Sequence, residues 1–339
     1  MYWPDKVEED LRELIGYCRY YFPLSATQQM LDEFRPMFCP FDESMARAMN
    51  ALAMFLPTML KATDKKYGYQ LWLEELLRIW LGFHGVPSWE SFMLQLFSRV
   101  AAENIGYIQW DDYISAIFTK FLRTLELPVG KKQLQLVYSH DSFDTDSAVL
   151  WPVAMLHSEA CLVALERLFK SIESYFHPSN YGNWTEKLSS TLMFLPVGIV
   201  ARLQLEIFRP KDWMPEIPRE ACLTDSTIRR FVRAFKPLAF LNLFGKSASD
   251  EAVEAIKNLA LLAPDEIFPD LLEKFYASVE TLTEPERFQS IVSALCGALP
   301  YLFHYKDGKK NVVPLMLAML PGIDSNDAKK TTSTLGFFS

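Results

Sequence analysis

The chain has 339 residues, half of them apolar and 14% aromatic, with a formal net charge of −8. That length is enough to bury a large core, that apolar content excludes disorder, and the acidic balance argues against a nucleic-acid surface. Thirteen glycines are few for an α/β enzyme, and the twenty prolines fall mostly at the edges of apolar-periodic segments, where proline starts or stops helices.

The N-terminal stretch Met1–Asp10 is acidic and lacks the apolar core of a signal peptide. Amphipathic stripes follow at Ser44–Met59 and Tyr69–Leu81. Trp89, Phe92, Met93, Leu96, Phe97, Val100 and Ala101 then trace one face of a helix, with Ser88 as its expected N-cap. A short link, Ile105–Gln109, leads to Ile114, Ile117, Phe118, Phe121, Leu122 and Leu125. Asp111 and Asp112 suit the start of that second helix and Pro128 its end, so the two helices are expected to pack antiparallel. Val129–Asp146 reads as a loop, although Leu134, Leu136 and Tyr138 alternate as in a short strand.

Further stripes occupy Ala160–Tyr175, Glu186–Leu195 and Ser226–Leu243, and the three prolines of Pro210–Thr224 mark a long inter-repeat loop. Val253, Ile256, Leu259 and Ala260 form the next helix, after Ser249-Asp250. Phe268, Leu271, Leu272, Phe275, Val279 and Leu282 form another, with Pro269 in its first turn. Thr283 and Glu286 make a capping box ahead of Phe288, Ile291, Val292, Leu295 and Leu299. A short helix over Val313–Leu320 ends at Pro321-Gly322, and Asp324 is the expected cap of the last. Helix starts near Asp250, Thr283 and Asp324 lie 33 and 41 residues apart, close to the ~40-residue period of HEAT or armadillo units. The expected fold is therefore an all-α solenoid of helix pairs over 1–339. Polar capping repeats are absent at Met1-Tyr2-Trp3 and Leu335–Ser339, so the chain is expected to be one stretch of a longer array.

Candidate chemistry is sparse. Val129-Gly130-Lys131-Lys132 lacks the upstream glycine and the following Ser or Thr of a phosphate loop. Ser139-His140-Asp141 puts three triad residue types side by side, but a triad is spatial and neighbouring side chains point apart. His84, His140, His157, His177 and His304 show no metal-ligand spacing, and His157 with Glu159 reads as polarity at a helix end. The five scattered cysteines (Cys18, Cys39, Cys161, Cys222, Cys296) form no CxxC and read as small buried hydrophobes in a reducing compartment. Asn183-Trp184-Thr185 fits a glycosylation acceptor only by accident. The longest apolar runs, around Leu192–Ala201 and Val292–Phe303, fall short of the ~20 residues that span a bilayer. Trp72 and Trp80, eight apart, are expected in the core, with an aromatic peptide groove as the lesser reading. In Phe176–Trp184, His177 suits a helix C-terminus, Pro178 stops the helix, Asn180 and Gly182 turn the chain, and Trp184 is expected to be a buried anchor. No catalytic, cofactor-binding or metal-binding residue is assigned.

Seven collinear segments carry a resemblance: Phe34–Asp42, Leu56-Pro57-Thr58, Asn104–Trp110, Leu127–Gly130, Phe176–Trp184, Glu280–Pro285 and Leu320–Asp324. Together they resemble the middle region of the large single-chain HEAT-repeat proteasome activator family. The resemblance implies a non-enzymatic dome of helical repeats over the 20S proteasome. Such a dome contacts the α-ring and admits peptides and unfolded proteins without ubiquitin or ATP. It also implies a nuclear and cytoplasmic location, links to acetylated-histone turnover and DNA repair, and inositol phosphates as family ligands, none of which maps to a residue here. No membrane and no direct nucleic-acid contact are expected. Phe337-Phe338-Ser339 mimics the family's C-terminal hydrophobic–Tyr–any anchor, but Phe338 lacks the hydroxyl and is not read as that anchor. A nuclear-transport or scaffold adaptor built of HEAT repeats shares the helix periods and the acidic charge. A hydrolase would need a nucleophile constellation.

Overall fold

The computed structural model describes residues 5–39, 41–42, 44–61, 63–83, 87–125, 127–128, 145–177, 179–180, 182, 184–208, 215–245, 249–280 and 285–338. Among the described residues there are fifteen α-helices, nine short 3-10 segments and no strand. Two compact units are present: residues 1–155 with 204–222, and residues 156–203 with 223–339.

The first unit contains α1 (Asp5–Cys18), α2 (Ala26–Phe34), α3 (Ser44–Phe55), α4 (Leu73–Gly82), α5 (Pro87–Glu103), α6 (Ile114–Thr124) and α7 (Thr145–Ala154). Its centre is α5, where Trp89, Met93, Leu96, Phe97, Val100 and Ala101 are buried as the sequence spacing predicts. The helix opens at Pro87 rather than after Ser88, because proline's fixed φ suits a first helical turn, so Ser88 is not the N-cap. The main neighbour of α5 is α7, followed by α3, and only then α6. Nothing in the periodicity marks α7. It has ten residues with Pro152 inside, and Ala148, Val149, Trp151, Val153 and Ala154 are all buried, so no polar face gives it a period. Trp151 packs edge-on against Trp110 at 6.0 Å and Phe118 at 5.8 Å, which joins α7 to α6. Of the expected loop, Val129–Asp144 lies outside the described residues, and Thr145 and Asp146 belong to α7.

The second unit contains α8 (Glu159–Ile172), most of α9 (Trp184–Phe208), α10 (Asp225–Asn242), α11 (Ser249–Leu262), α12 (Pro264–Glu280), α13 (Pro285–Ala298), α14 (Gly308–Met319) and α15 (Ala328–Phe338). Here the helices stack in two rows. In one, α8, α10, α12 and α14 each meet the next; in the other, α11, α13 and α15 do. Sequence neighbours α10–α11, α11–α12 and α12–α13 tie the rows together. This is a solenoid, in which each pair closes its core only against adjacent pairs. Its members α11, α13 and α15 start at Ser249, Pro285 and Ala328, about 40 residues apart.

Several expected boundaries move, each for a local reason. Pro264 opens α12, which leaves Pro269 inside the helix instead of at its start. Pro285 opens α13, and the expected cap Thr283 lies outside the described residues. The helix expected from Val313 begins at Gly308 and contains Pro314. Asp324 does not cap α15: it accepts from the Asn326 amide at 2.9 Å within a turn, while Asp327 accepts from the Lys330 amide at 3.0 Å and is the N-cap. Residues 209–214 lie outside the described residues, and 215–224 hold only the 3-10 turn Arg219–Ala221.

The largest change is α9, expected over Glu186–Leu195 but 25 residues long, with Pro196 inside. By length and composition it could cross a membrane, which the sequence reading had excluded. One face of it, with Leu188, Leu192, Leu195, Ile199 and Arg202, is buried in protein, while only 33% of its apolar window is buried in all. The cysteines also differ from expectation. Cys161 is buried, Cys222 and Cys296 are half-buried, and Cys18 and Cys39 are exposed beside 3-10 turns that leave them outside the core.

Candidate functional site

The motif residues converge on helix corners rather than on a pocket. Asn104, at the end of α5, donates through Nδ2 to the Thr58 carbonyl at 2.7 Å and the Val100 carbonyl at 2.9 Å. Two of the seven resembling segments therefore meet in one buried hydrogen-bonded joint. Beside it, Glu103 accepts from the hydroxyls of Tyr20 at 3.0 Å and of Thr58, and Arg19 lies 4.0 Å away. Arg99 completes this cluster, with its Nε and one terminal nitrogen buried and unpartnered. Burial, reinforced by the like charge of Arg19, pushes the Arg99 guanidinium down to about 10.

Gly106 has φ 78°, and a Cβ there would also strike Ala221 and Pro218. Next to it, the Tyr107 hydroxyl donates to the Glu216 carbonyl at 2.7 Å, and Lys65 Nζ sits 3.0 Å above the ring. These contacts fasten residues 216–221 onto the first unit. At the other end of α5, buried Lys120 reaches Glu90 at 3.2 Å and donates to the Phe83 carbonyl at 2.7 Å. Burial pulls its ammonium pKa down, and Glu90 opposes that shift. Trp80 Nε1 donates to the Glu90 carbonyl at 3.1 Å. Trp72 and Trp80 are fully buried, so they wall no open groove.

In the second unit, charged side chains tie α10 to its row neighbours. Arg230 bonds Glu166 at 2.6 Å and Glu159 at 2.7 Å on α8. Arg233 bonds Glu266 at 2.7 Å, and Lys236 reaches Asp270 at 2.7 Å, both on α12. The hydrogen bond from Arg230 holds the Glu166 carboxyl below the usual carboxylate range, and Arg233 does the same to Glu266. Glu159 thus pairs with Arg230, while His157 Nδ1 lies 3.5 Å from the Arg202 guanidinium, so the two form no joint site.

The Phe176–Trp184 corner is fixed by short-range bonds. Asn180 donates to the Ser174 carbonyl at 2.6 Å, Gly182 N donates to Thr185 Oγ1 at 3.1 Å, and His177 Nδ1 meets Ser179 Oγ at 2.7 Å. The Trp184 ring is edge-on to Tyr175 at 6.2 Å and lies against Gly182, where a Cβ would collide with it. That close approach, not a positive φ, is what requires glycine. Trp184 is half-buried rather than buried as expected, although its Nε1 is enclosed without a hydrogen-bond partner.

Val129–Lys132, Ser139-His140-Asp141 and His84 lie outside the described residues. Among the described residues no group of three His, Cys, Asp or Glu side chains is placed to hold a metal. Phe337 and Phe338 lie in α15, the first buried and the second partly exposed. The polar knots are internal fasteners, and those that join distant segments were invisible in sequence, with partners as far as 109 residues apart at Tyr107 and Glu216.

Comparison with known proteins fits this architecture. The family described as proteasome activator complex subunit 4, mid HEAT repeats region, matches residues 165–339. The zebrafish (Danio rerio) proteasome activator complex subunit 4A is 41% identical over 345 residues, all of this chain and 19% of that protein. The human subunit 4 is 39% identical over the same shares, and the Arabidopsis thaliana proteasome activator subunit 4 is 24% identical over 84% of this chain and 16% of its own length. The chain spans about a fifth of the length of the curated relatives it matches.

Proposed function

The chain belongs to the proteasome activator complex subunit 4 family, and we propose that it is a non-catalytic section of the helical array by which such an activator engages the 20S proteasome. The observation that carries this reading is the match along the whole chain to activators from vertebrates, and along 84% of it to one from a plant. The geometry supports it. Stacked helix pairs with internal polar fasteners make a stiff frame whose outer face is spread over many repeats, as a large partner requires.

On this reading the array acts at the α-ring, and peptides, unfolded proteins and acetylated histones are its cargo, taken without ubiquitin or ATP. Its setting is the nucleus and cytoplasm, with a part in DNA repair. Inositol phosphates are ligands of the larger assembly, with no residue of this segment assigned to them. The chain contributes frame and surface and no bond-breaking chemistry. The test is hydrolysis of a fluorogenic peptide by purified 20S particles with and without excess chain. The chain alone is expected to cleave nothing and to stimulate little, since one section of a multivalent surface keeps a small share of the affinity. Cleavage in the absence of 20S particles would overturn the non-catalytic reading.

A further inference from the structure

Three enclosed arginine nitrogens of the first unit, Nε and Nη2 of Arg99 and Nε of Arg19, have no hydrogen-bond partner. The third nitrogen of the Arg99 fork, Nη1, is not enclosed. The charges around this fork do not balance. Among the described residues Arg19 and Glu103 are the charged neighbours that act on Arg99, so two guanidinium groups meet one carboxylate. Glu103 is already engaged by the hydroxyls of Tyr20 and Thr58 and lies 4.0 Å from Arg19. An unpaired donor inside protein carries its full desolvation cost, and a planar guanidinium matches the two oxygens of a carboxylate. A cleft adjoins the cluster. Arg19 lines it together with Phe22, Pro23, Leu24, Met30 and Leu60, and its open volume is about 220 Å³. Pro57 stands in the same wall, directly before Thr58 of the polar cluster.

We propose that the Arg19–Arg99 pair holds the C-terminal carboxylate of a peptide whose last side chain is apolar and lies in this cleft. Charge selects the head group. One uncompensated positive charge fits a monoanion, whereas a polyphosphate would set its further charges against Glu103. Volume selects the body. The cleft limits it to one side chain, as on the α-carbon next to a C-terminal carboxylate, and has no room for a long acyl chain. A free amino acid would bring its ammonium beside two arginines, while the last residue of a peptide brings a neutral amide. An apolar pocket with one charged anchor is a recurring way to capture a chain end. The site does not depend on how the chain meets the 20S proteasome.

The test is fluorescence polarisation of a short labelled peptide ending in leucine, titrated with the chain. Binding should saturate, with a dissociation constant below about 1 mM. The same peptide with an amidated C-terminus should bind at least about tenfold more weakly, since its charge-assisted pair is lost, and a serine end should also bind more weakly. Arg99→Met, with its thermal midpoint and helical spectrum checked against the parent, should lose at least about tenfold in affinity for the leucine-ended acid. Equal affinity for the amidated or the serine-ended peptide would overturn the proposal. So would a folded Arg99→Met that binds as tightly as the parent, or no saturable binding below about 1 mM. Displacement of the peptide by acetate or inorganic phosphate at concentrations equal to its own would make the pair a general anion site, and also overturn it.

Discussion

At the scale of single residues, the polar groups inside the units decide more than the apolar ones. Arg99 is a buried guanidinium with two unpartnered nitrogens, next to a second arginine and one carboxylate. Its charged form is disfavoured by folding, so below pH 10 it lowers stability rather than adding to it. Arg99→Met keeps the length, removes that charge and leaves Arg19 with Glu103. Urea unfolding should show unchanged or higher stability, and a loss above about 2 kcal/mol would contradict the account. The corner gives a second residue-scale case. Trp184→Ala should cost about 2 kcal/mol, less than the ~3–5 of a fully buried aromatic, because part of its surface already faces solvent. Gly182→Ala should also destabilise, since its new methyl meets the indole. In the double variant that clash disappears, so the combined loss should be smaller than the sum; strict additivity would show that the ring does not lie on Gly182.

At the scale of elements, the ion pairs of α10 couple row stability to pH. Glu166 and Glu266 have folded-state pKa values below their ordinary 4.5. A depressed carboxylate contributes stability that is complete above 4.5 and is lost as pH falls through the folded value. Arg230 stays charged throughout this window, because Glu166 and Glu159 raise its pKa further. The thermal midpoint should therefore fall on acidification below about pH 4.5, and Arg230→Met should flatten that fall. An unaltered acid limb in the variant would remove the coupling between α8 and α10. The helices themselves were largely legible. Strong 3.6-residue stripes such as those of α5 and α13 gave both the element and its buried face, because amphipathic burial imposes the period. Those without a polar face gave no such signal: α7 went unrecognised and α9 was read as less than half its length. Caps misled where a proline or a second aspartate competed, as at Pro87 and Asp327. The fasteners at Asn104, Lys120 and Arg230 had no sequence signature, since hydrogen-bond partners are chosen by packing and not by spacing.

At the scale of the whole chain, a helical array contributes surface spread over many repeats. Circular dichroism should therefore show a helix-dominated spectrum well above the usual third of residues. The resemblance read from seven short segments extends along the full sequence in the vertebrate relatives, and three of those segments, at Thr58, Asn104 and Asn180, form joints or a corner. A corner fixes the angle between neighbouring helix pairs, and the accumulated angles set the curvature of a solenoid. Relatives that share these corners should share that curvature, even where 59% of aligned residues differ, the complement of 41% identity. The most direct measurement is therefore a replacement. This chain would be exchanged for its matched 345-residue region in the human relative, and the purified, folded chimera assayed with 20S particles and a fluorogenic peptide. The account predicts that the chimera binds the particles and stimulates peptide hydrolysis, while the isolated chain binds weakly and stimulates little. A chimera that folds with an unchanged helical spectrum yet neither binds nor stimulates the 20S proteasome would contradict it.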